Sequence, residues 1–183
     1  MPKQRKKKVV LKKIYFILIA ILLIALLLIF FEGNQPNEYT SQDKNESSEL
    51  YHKSPDFEAY FLNGTKFSMH DLRGQPVILN FWATWCPPCR REMPNFEKVF
   101  KEGKIVVIGI NLNENPERVK KYLNKFNITF PVVIDTQDKI QQKYSALLKP
   151  TTYFIDKNGI IVDKKYGELS GKELEERSQK LLR

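Results

Sequence analysis

Cysteine is scarce in this chain of 183 residues, which contains only Cys86 and Cys89. No further cysteine is present to build a disulfide-rich scaffold. A structural zinc site normally needs four Cys or His ligands, and the chain adds only His52 and His70 at irregular distance. A static disulfide over so short a loop would restrict the unfolded chain little. Zinc binding and a purely structural bridge are therefore weak explanations of the cysteine pair.

The chain also lacks any cluster of Lys and Arg mixed with base-stacking aromatic residues, although its net charge is +9. Nucleic-acid binding is therefore not supported. The charge is uneven: residues 1–13 carry +7, residues 32–49 carry −4, and the rest carries +6. The charge of the last part is typical of an ordinary solvated surface, and it could also favour anionic lipid or an acidic partner.

One long apolar run is present at residues 14–31, with 18 residues and no charge. At about 1.5 Å per residue it would span about 27 Å, close to the thickness of the hydrocarbon core of a bilayer. The basic residues lie before it, which predicts a cytoplasmic N-terminus and an external C-terminal domain. The run ends without a small-residue cleavage site or a lipoprotein cysteine. We interpret it as an uncleaved transmembrane anchor rather than a cleaved signal peptide.

The composition divides the chain into four parts. Residues 1–13 form a cytoplasmic basic segment and residues 14–31 the anchor. Residues 32–49 are polar and acidic with few apolar side chains, which predicts a flexible linker. Residues 50–183 are long enough for one ordinary domain. Outside the cytoplasm the surroundings are oxidising, and a chain without other cysteines has no structural disulfides there, so the single cysteine pair is free to cycle between dithiol and disulfide.

The cysteines enclose two prolines where a predicted buried strand, Val77 to Phe81, gives way to a helix. Pro87 and Pro88 suit the first helical turn, since φ is already close to helical and no N–H is needed there. Cys86 then lies at the helix N-terminus, where the dipole and free N–H groups stabilise a thiolate. We expect Cys86 to attack a substrate disulfide and the less exposed Cys89 to resolve the mixed disulfide.

The run VILNFWATWCPPCRREMP, residues 77–94, closely resembles the TlpA/ResA group of membrane-anchored, extracytoplasmic thioredoxin-like proteins. The segment KPTTYFIDKNG, residues 149–159, resembles the second signature of the same family. The resemblance implies a cis peptide bond before Pro150, which would lie against the cysteines. Sequence alone does not distinguish this from a trans proline that opens a strand.

Glu92 follows Cys89 by three residues, so on a helix it can exchange protons with that thiol or with a bound water. The resemblance carries an acid–base role onto Glu92, and the alternative is an acid favoured by the helix dipole. Asn80 stands where thioredoxin has a buried aspartate. Because an amide cannot shuttle protons, that duty passes to Glu92 or to water, or is absent.

Two further residues flank the predicted site. Trp85 is expected to shield the thiol pair and to offer a flat apolar contact surface, unless it only packs against the core. Lys149 precedes Pro150, where this fold places the substrate backbone. It could favour an anionic partner or have no role.

Hydrophobic patterns predict an α/β fold: a thioredoxin-like mixed sheet with flanking helices, preceded by the transmembrane helix. The resemblance implies that the N-terminal β-hairpin is an extra element and that helix 116–126 lies in a helical insertion. The hairpin turns at Asn63-Gly64. Ser170 and Glu173 form a predicted capping box. The predicted strands are 57–61, 65–67, 77–81, 105–110, 132–135, 152–156 and 160–166, and the predicted helices are 87–101, 116–126, 140–144 and 170–182.

Together these features predict a single-pass protein of the cell membrane that acts outside the cytoplasm as a thiol-disulfide oxidoreductase and works as a reductant. The resemblance implies electron supply from a CcdA- or DsbD-like membrane protein and an oxidised protein substrate such as apocytochrome c, during cytochrome c maturation, or a spore-envelope protein. No cofactor or metal is expected. The alternatives are a general disulfide oxidase or isomerase, a non-catalytic thioredoxin-like adaptor and, on weaker grounds, a peroxidase.

Overall fold

The computed structural model describes residues 18–19, 21–27 and 50–183. Contacts divide the chain into two compact units, Met1–Lys44 and Asn45–Arg183. The described residues of the first unit are helical. Within the described parts of the chain, no helix has the length and apolar character needed to cross a membrane.

Most of the N-terminal organisation predicted above falls outside the described residues. This applies to the basic segment 1–13, the linker 32–49 and half of the anchor 14–31. The three assignments stay predictions.

Seven strands and four helices, with one short 3-10 helix at Met69–Leu72, make up the described part of the second unit. The strands are β1 (Glu58–Tyr60), β2 (Lys66–Ser68), β3 (Val77–Trp82), β4 (Val106–Leu112), β5 (Val132–Asp135), β6 (Thr151–Ile155) and β7 (Ile161–Tyr166). The helices are α1 (Pro87–Lys101), α2 (Pro116–Lys125), α3 (Lys139–Lys143) and α4 (Gly171–Leu181). Each predicted strand and helix is present, with ends within one or two residues of the prediction.

The sheet is mixed and has five strands in the order β5-β4-β3-β6-β7. Strands β3, β4 and β5 run parallel, whereas β6 and β7 are antiparallel to their neighbours. The central strand β3 is buried along its whole length, as expected for a parallel strand covered on both faces. Strands β1 and β2 form the predicted antiparallel hairpin ahead of this sheet.

Alternate residues of β3 pack into two different cores, because successive strand side chains point to opposite faces. Ile78 and Trp82 join a cluster that includes Met93 and Phe96 of α1. Leu79 belongs to the other cluster, which includes residues of the hairpin and α3. The sheet is therefore a middle layer with helices on both faces.

Local sequence signals explain where the helices begin. Pro87 and Pro88 occupy the first turn of α1. Asn115 caps α2 by accepting the N–H groups of Glu117 and Arg118. Helix α4 begins with the predicted capping box, in which the Ser170 side chain and the Glu173 side chain satisfy each other's backbone N–H groups.

Candidate active site

Cys86 lies at the helix N-terminus, as predicted. It is the N-cap residue of α1, at the end of the turn that follows β3. Its Sγ accepts the N–H of Cys89 at 3.3 Å. The two cysteines are joined by a disulfide, with their Cα atoms 5.3 Å apart. When this bond is reduced, the helix N-terminus presents N–H donors and a positive dipole end to the Cys86 thiolate.

Exposure differs between the residues of this turn. Cys86 is 4% exposed and Cys89 is fully buried, so an incoming thiol or disulfide reaches Cys86 first. Trp85 is 60% exposed, which is inconsistent with a role in core packing. An exposed indole beside the nucleophile provides an apolar contact surface for a partner.

The segment before β6 lies at the same edge of the sheet. Phe81 near the end of β3 pairs with Thr151 at the start of β6, which places Pro150 close to the cysteine turn. The Lys149–Pro150 bond is cis, as the resemblance implies. Lys149 is partly buried, which lowers its pKa although Asp138 opposes the shift, and its Nζ donates to the carbonyl oxygen of Leu147.

Glu92 of α1 is fully buried and lies one helical turn beyond Cys89. Its Oε1 accepts the side-chain amide of Asn80 at 2.8 Å, and its Oε2 accepts the N–H of Leu169 at 3.0 Å. The Asn80 amide also donates to the Thr152 hydroxyl at 3.1 Å. Each carboxylate oxygen therefore has one donor, in a site that is buried from the protein surface.

These surroundings determine the acidity of Glu92. Burial raises its pKa to about 7, although the Leu169 N–H and the Asn80 amide favour the ionised form. The nearby Glu168 carboxylate contributes to this rise, to a smaller extent than burial. A carboxyl group that titrates near neutrality can both accept and return a proton at physiological pH. This is the property required of a group that deprotonates the resolving thiol.

The sequence alone identifies Asn80 only as a departure from thioredoxin and does not reveal its role. The structure shows it as a fully buried hydrogen-bond donor to Glu92. The available signal was a polar residue in the middle of the apolar run of β3. A buried amide at such a position requires partners, and one of them is the candidate proton acceptor.

Glu114 was missed entirely. Its side chain is 6% exposed, and its carboxylate accepts the N–H of Thr84 at 2.6 Å and the Asn111 amide at 2.8 Å. The Thr84 hydroxyl donates to its other oxygen, and Arg118 pairs with it at 3.6 Å. Glu114 therefore ties the turn that carries Cys86 to the loop between β4 and α2.

Comparisons with known proteins agree with this geometry. The model of the AhpC/TSA family matches residues 50–164. The thioredoxin-like protein YneN of Bacillus subtilis strain 168 is 39% identical over 130 residues, covering 68% of this chain and 76% of the relative. The thiol-disulfide oxidoreductase ResA of Geobacillus kaustophilus strain HTA426 is 38% identical over 125 residues, covering 67% and 72%.

A solved structure extends the comparison to the fold. The thiol:disulfide interchange protein of the thioredoxin family from Chlorobium tepidum TLS superposes with a TM-score of 0.66 at 28% sequence identity. The superposition covers 72% of this chain and 96% of that one. The family match spans both cysteines and Pro150.

Proposed function

The chain belongs to the AhpC/TSA family and is a thiol-disulfide oxidoreductase of the ResA type, and we propose that it reduces a specific protein disulfide outside the cytoplasm. The observation that carries the chemistry is the Cys86–Cys89 disulfide at the N-terminus of α1, with buried Glu92 one turn further along the helix. The direction of electron flow follows from the resemblance to the ResA group.

The proposed reaction begins with the reduced protein. The Cys86 thiolate attacks one sulfur of the substrate disulfide, so a mixed disulfide forms and the first substrate thiolate leaves. Cys89 then loses its proton to Glu92 and attacks Cys86 Sγ, which releases the second substrate thiolate. The substrate gains two electrons. One of its leaving thiolates takes the Cys89 proton back from Glu92 and the other takes a proton from solvent, since Cys86 reacts as the thiolate. The Cys86–Cys89 disulfide is the product that the structure contains.

The proposed partners follow from the resemblance. Electrons would return to the cysteine pair from a CcdA- or DsbD-like membrane protein. The proposed substrate is apocytochrome c, whose haem-attachment cysteines must be reduced during cytochrome c maturation. The exposed Trp85 beside Cys86 supports contact with a protein substrate rather than with a small thiol alone.

A trapping experiment tests the substrate. In the full-length Cys89→Ala variant the mixed disulfide at Cys86 cannot be resolved, so we expect a covalent adduct with apocytochrome c in membranes of cells that are making cytochrome c. A Cys86→Ala/Cys89→Ala variant is the matched control and should capture nothing. Capture of a spore-envelope protein instead would replace the proposed substrate. No adduct in cells that need the protein would support the non-catalytic adaptor.

The in-cell redox state tests the direction of electron flow in the same strains. A reductant should be found with Cys86 and Cys89 mostly as thiols, which thiol alkylation followed by gel mobility measures. A pair that is mostly oxidised at steady state would favour the disulfide oxidase or isomerase and contradict the reductase.

We propose that the protein is held in the cell membrane by residues 14–31, with residues 50–183 outside. The run of 18 uncharged apolar residues behind a basic segment supports this. The mass of the membrane-extracted protein should equal that of the whole chain, and protease added to intact cells should degrade the domain. A mature form that begins near Phe31 would show a cleaved signal peptide instead.

A further inference from the structure

An ion pair at the surface lies directly beside the buried Glu92. Arg91 Nε donates to both carboxylate oxygens of Glu168, at 3.0 and 2.9 Å, and Nη2 donates as well. Arg91 precedes Glu92 on α1, and Glu168 precedes Leu169 in the loop between β7 and α4. The pair therefore joins the two segments that meet at Glu92.

Leu169 connects this pair to the candidate proton acceptor. Leu169 is 1% exposed, and its N–H donates to Glu92 Oε2 at 3.0 Å. The direction of that N–H is set by the peptide plane between Glu168 and Leu169. On its far side the segment is fixed by the capping box of α4, where the Ser170 N–H donates to Glu173. On its near side the Gly167 N–H donates to the carbonyl oxygen of Pro150 at 2.8 Å, and the Arg91 pair holds the Glu168 side chain itself.

We propose that Arg91 is a positioning residue for the disulfide-exchange reaction: by its forked contact with Glu168 it holds the Leu169 N–H against the carboxylate of Glu92. The contact uses several donors of one guanidinium, which fixes the carboxylate in orientation as well as in distance. The inference rests on the proposed role of Glu92 as the group that deprotonates the resolving thiol.

The positive charge of Arg91 and the position in which it holds Leu169 both favour the ionised form of Glu92. Glu168 is the acid that faces Glu92 from the loop before α4, and its negative charge opposes ionisation of Glu92. Helix α1 supplies Arg91 and, in the oxidised protein, the neutral disulfide sulfur of Cys89, whereas β3 and β6 supply the neutral groups of Asn80 and Thr152. Among residues 50–183 the like charge near Glu92 is that of Glu168, and Arg91 offsets it while it fixes the donor that stabilises the ionised form.

An ordinary surface ion pair would have a different effect. The Arg91 side chain is 60% exposed and that of Glu168 is 35% exposed, and exposed pairs contribute little to global stability. The proposal therefore concerns the titration of Glu92, which a merely structural pair would leave unchanged.

The test is a ¹³C NMR titration of the Glu92 carboxyl group in the oxidised, full-length protein in detergent, with Glu92→Gln used to assign the resonance. Arg91→Gln should raise the pKa of Glu92 by about half a unit or more, because Glu168 loses its counter-charge and the Leu169 donor loosens. Arg90→Gln is the matched control, since it removes the same charge from the neighbouring exposed residue, which contacts Phe126 instead. In Arg90→Gln the pKa of Glu92 should keep its wild-type value.

Arg91→Lys separates position from charge. Lysine keeps the positive charge but cannot form the fork, so the pKa of Glu92 should still rise above the wild-type value, by less than in Arg91→Gln. A wild-type titration in Arg91→Gln overturns the proposal. If the pKa of Glu92 rises in Arg91→Gln but keeps its wild-type value in Arg91→Lys, the proposal is also overturned, because a positive charge without the forked contact would then be enough to set that pKa.

The pH dependence of disulfide exchange, measured on the same variants, distinguishes the two proposals. An inflection that moves with the NMR titration supports both the positioning role and the role of Glu92. If the NMR titration moves and the rate profile does not, the contact is established but the proposed role of Glu92 in exchange is wrong.

Discussion

Replacing Cys86 with serine should abolish disulfide exchange, with a loss of rate of about a thousandfold or more, while the domain keeps its fold. A hydroxyl is not ionised near neutral pH and does not attack disulfides, so the first step is lost. Serine is among the best N-cap residues, and its oxygen can accept the Cys89 N–H that Cys86 Sγ accepts now. The start of α1 should therefore survive the substitution.

The measurement is the rate at which the reduced protein reduces a disulfide-bonded peptide, together with a far-UV circular dichroism spectrum. The matched variant is Cys89→Ser, which keeps the nucleophile and loses the resolving thiol. It should react once and accumulate the mixed disulfide, so single-turnover attack survives and multiple turnover does not. The opposite pattern, with attack lost only in Cys89→Ser, would reverse the roles of the two cysteines.

Much of the fold could be predicted because its signals are local. The spacing of apolar residues predicts the alternation of buried strands with amphipathic helices, and prolines or capping residues mark the helix starts. The end of β4 shows the limit of this approach. The predicted strand stops at Ile110, but β4 continues to Leu112, because Asn111 pairs with Trp82 of β3 and Leu112 with Asp135 of β5. A polar residue in a buried strand conceals such an extension.

In the candidate site too, the residues of a local motif could be predicted from the sequence, whereas those brought together by the fold could not. Cys86, its helix position and the two prolines lie within one short motif, so local rules placed them correctly. The partners of Glu92 come from distant parts of the chain, since Asn80 lies in β3 and Leu169 follows β7. Pairwise contacts over such separations leave no periodic signal in a single sequence. The cis bond before Pro150 was available only from the resemblance to a known family.

Glu92→Gln should slow the resolving step and remove the inflection near neutral pH from the rate profile. Burial raises the pKa of Glu92 to about 7, so the carboxylate becomes available as a base only as the pH approaches that value. Glutamine has nearly the same shape and cannot accept the proton of Cys89. The measurement is the pH dependence of single-turnover reduction of a peptide disulfide. A profile identical to that of the wild type would leave Glu92 with a structural role only.

Stability provides an independent check with a definite sign. The folded-state pKa of Glu92, about 7, lies above the ordinary glutamate pKa of 4.5, so between these values the folded state binds more protons than the unfolded state. The free energy of unfolding therefore falls as the pH rises across this window, by up to about 3 kcal/mol, and is level above it. Glu92→Gln removes this penalty, so the variant should be the more stable protein at about pH 8 and lose that advantage at about pH 4.

The surrounding groups allow glutamine at this position. Asn80 Oδ1 has no hydrogen-bond partner among the described residues, so after an amide flip it can accept the new side-chain N–H. The Thr152 hydroxyl, which now accepts from the Asn80 amide, can then rotate and donate to Asn80 Oδ1, since a hydroxyl both donates and accepts. The Leu169 N–H keeps an oxygen acceptor. The substitution therefore leaves no buried donor facing another donor, and its one cost is that the flipped Asn80 amide N–H takes the position of Oδ1, where the described residues offer no partner.

Glu97→Gln is the matched control, on the same helix and also buried. Burial opposes ionisation of Glu97, but hydrogen bonds from Thr129, Lys101 and Phe130 outweigh it and hold its pKa below the ordinary value. Its ionised form therefore stabilises the fold at neutral pH, and that stability is lost as the pH falls through the folded-state pKa. The free energy of unfolding of both variants is measured by urea unfolding at about pH 4 and about pH 8. At about pH 8, Glu92→Gln should raise it relative to the wild type and Glu97→Gln should lower it. If Glu92→Gln and Glu97→Gln change the unfolding free energy in the same direction at about pH 8, the raised pKa of Glu92 is contradicted.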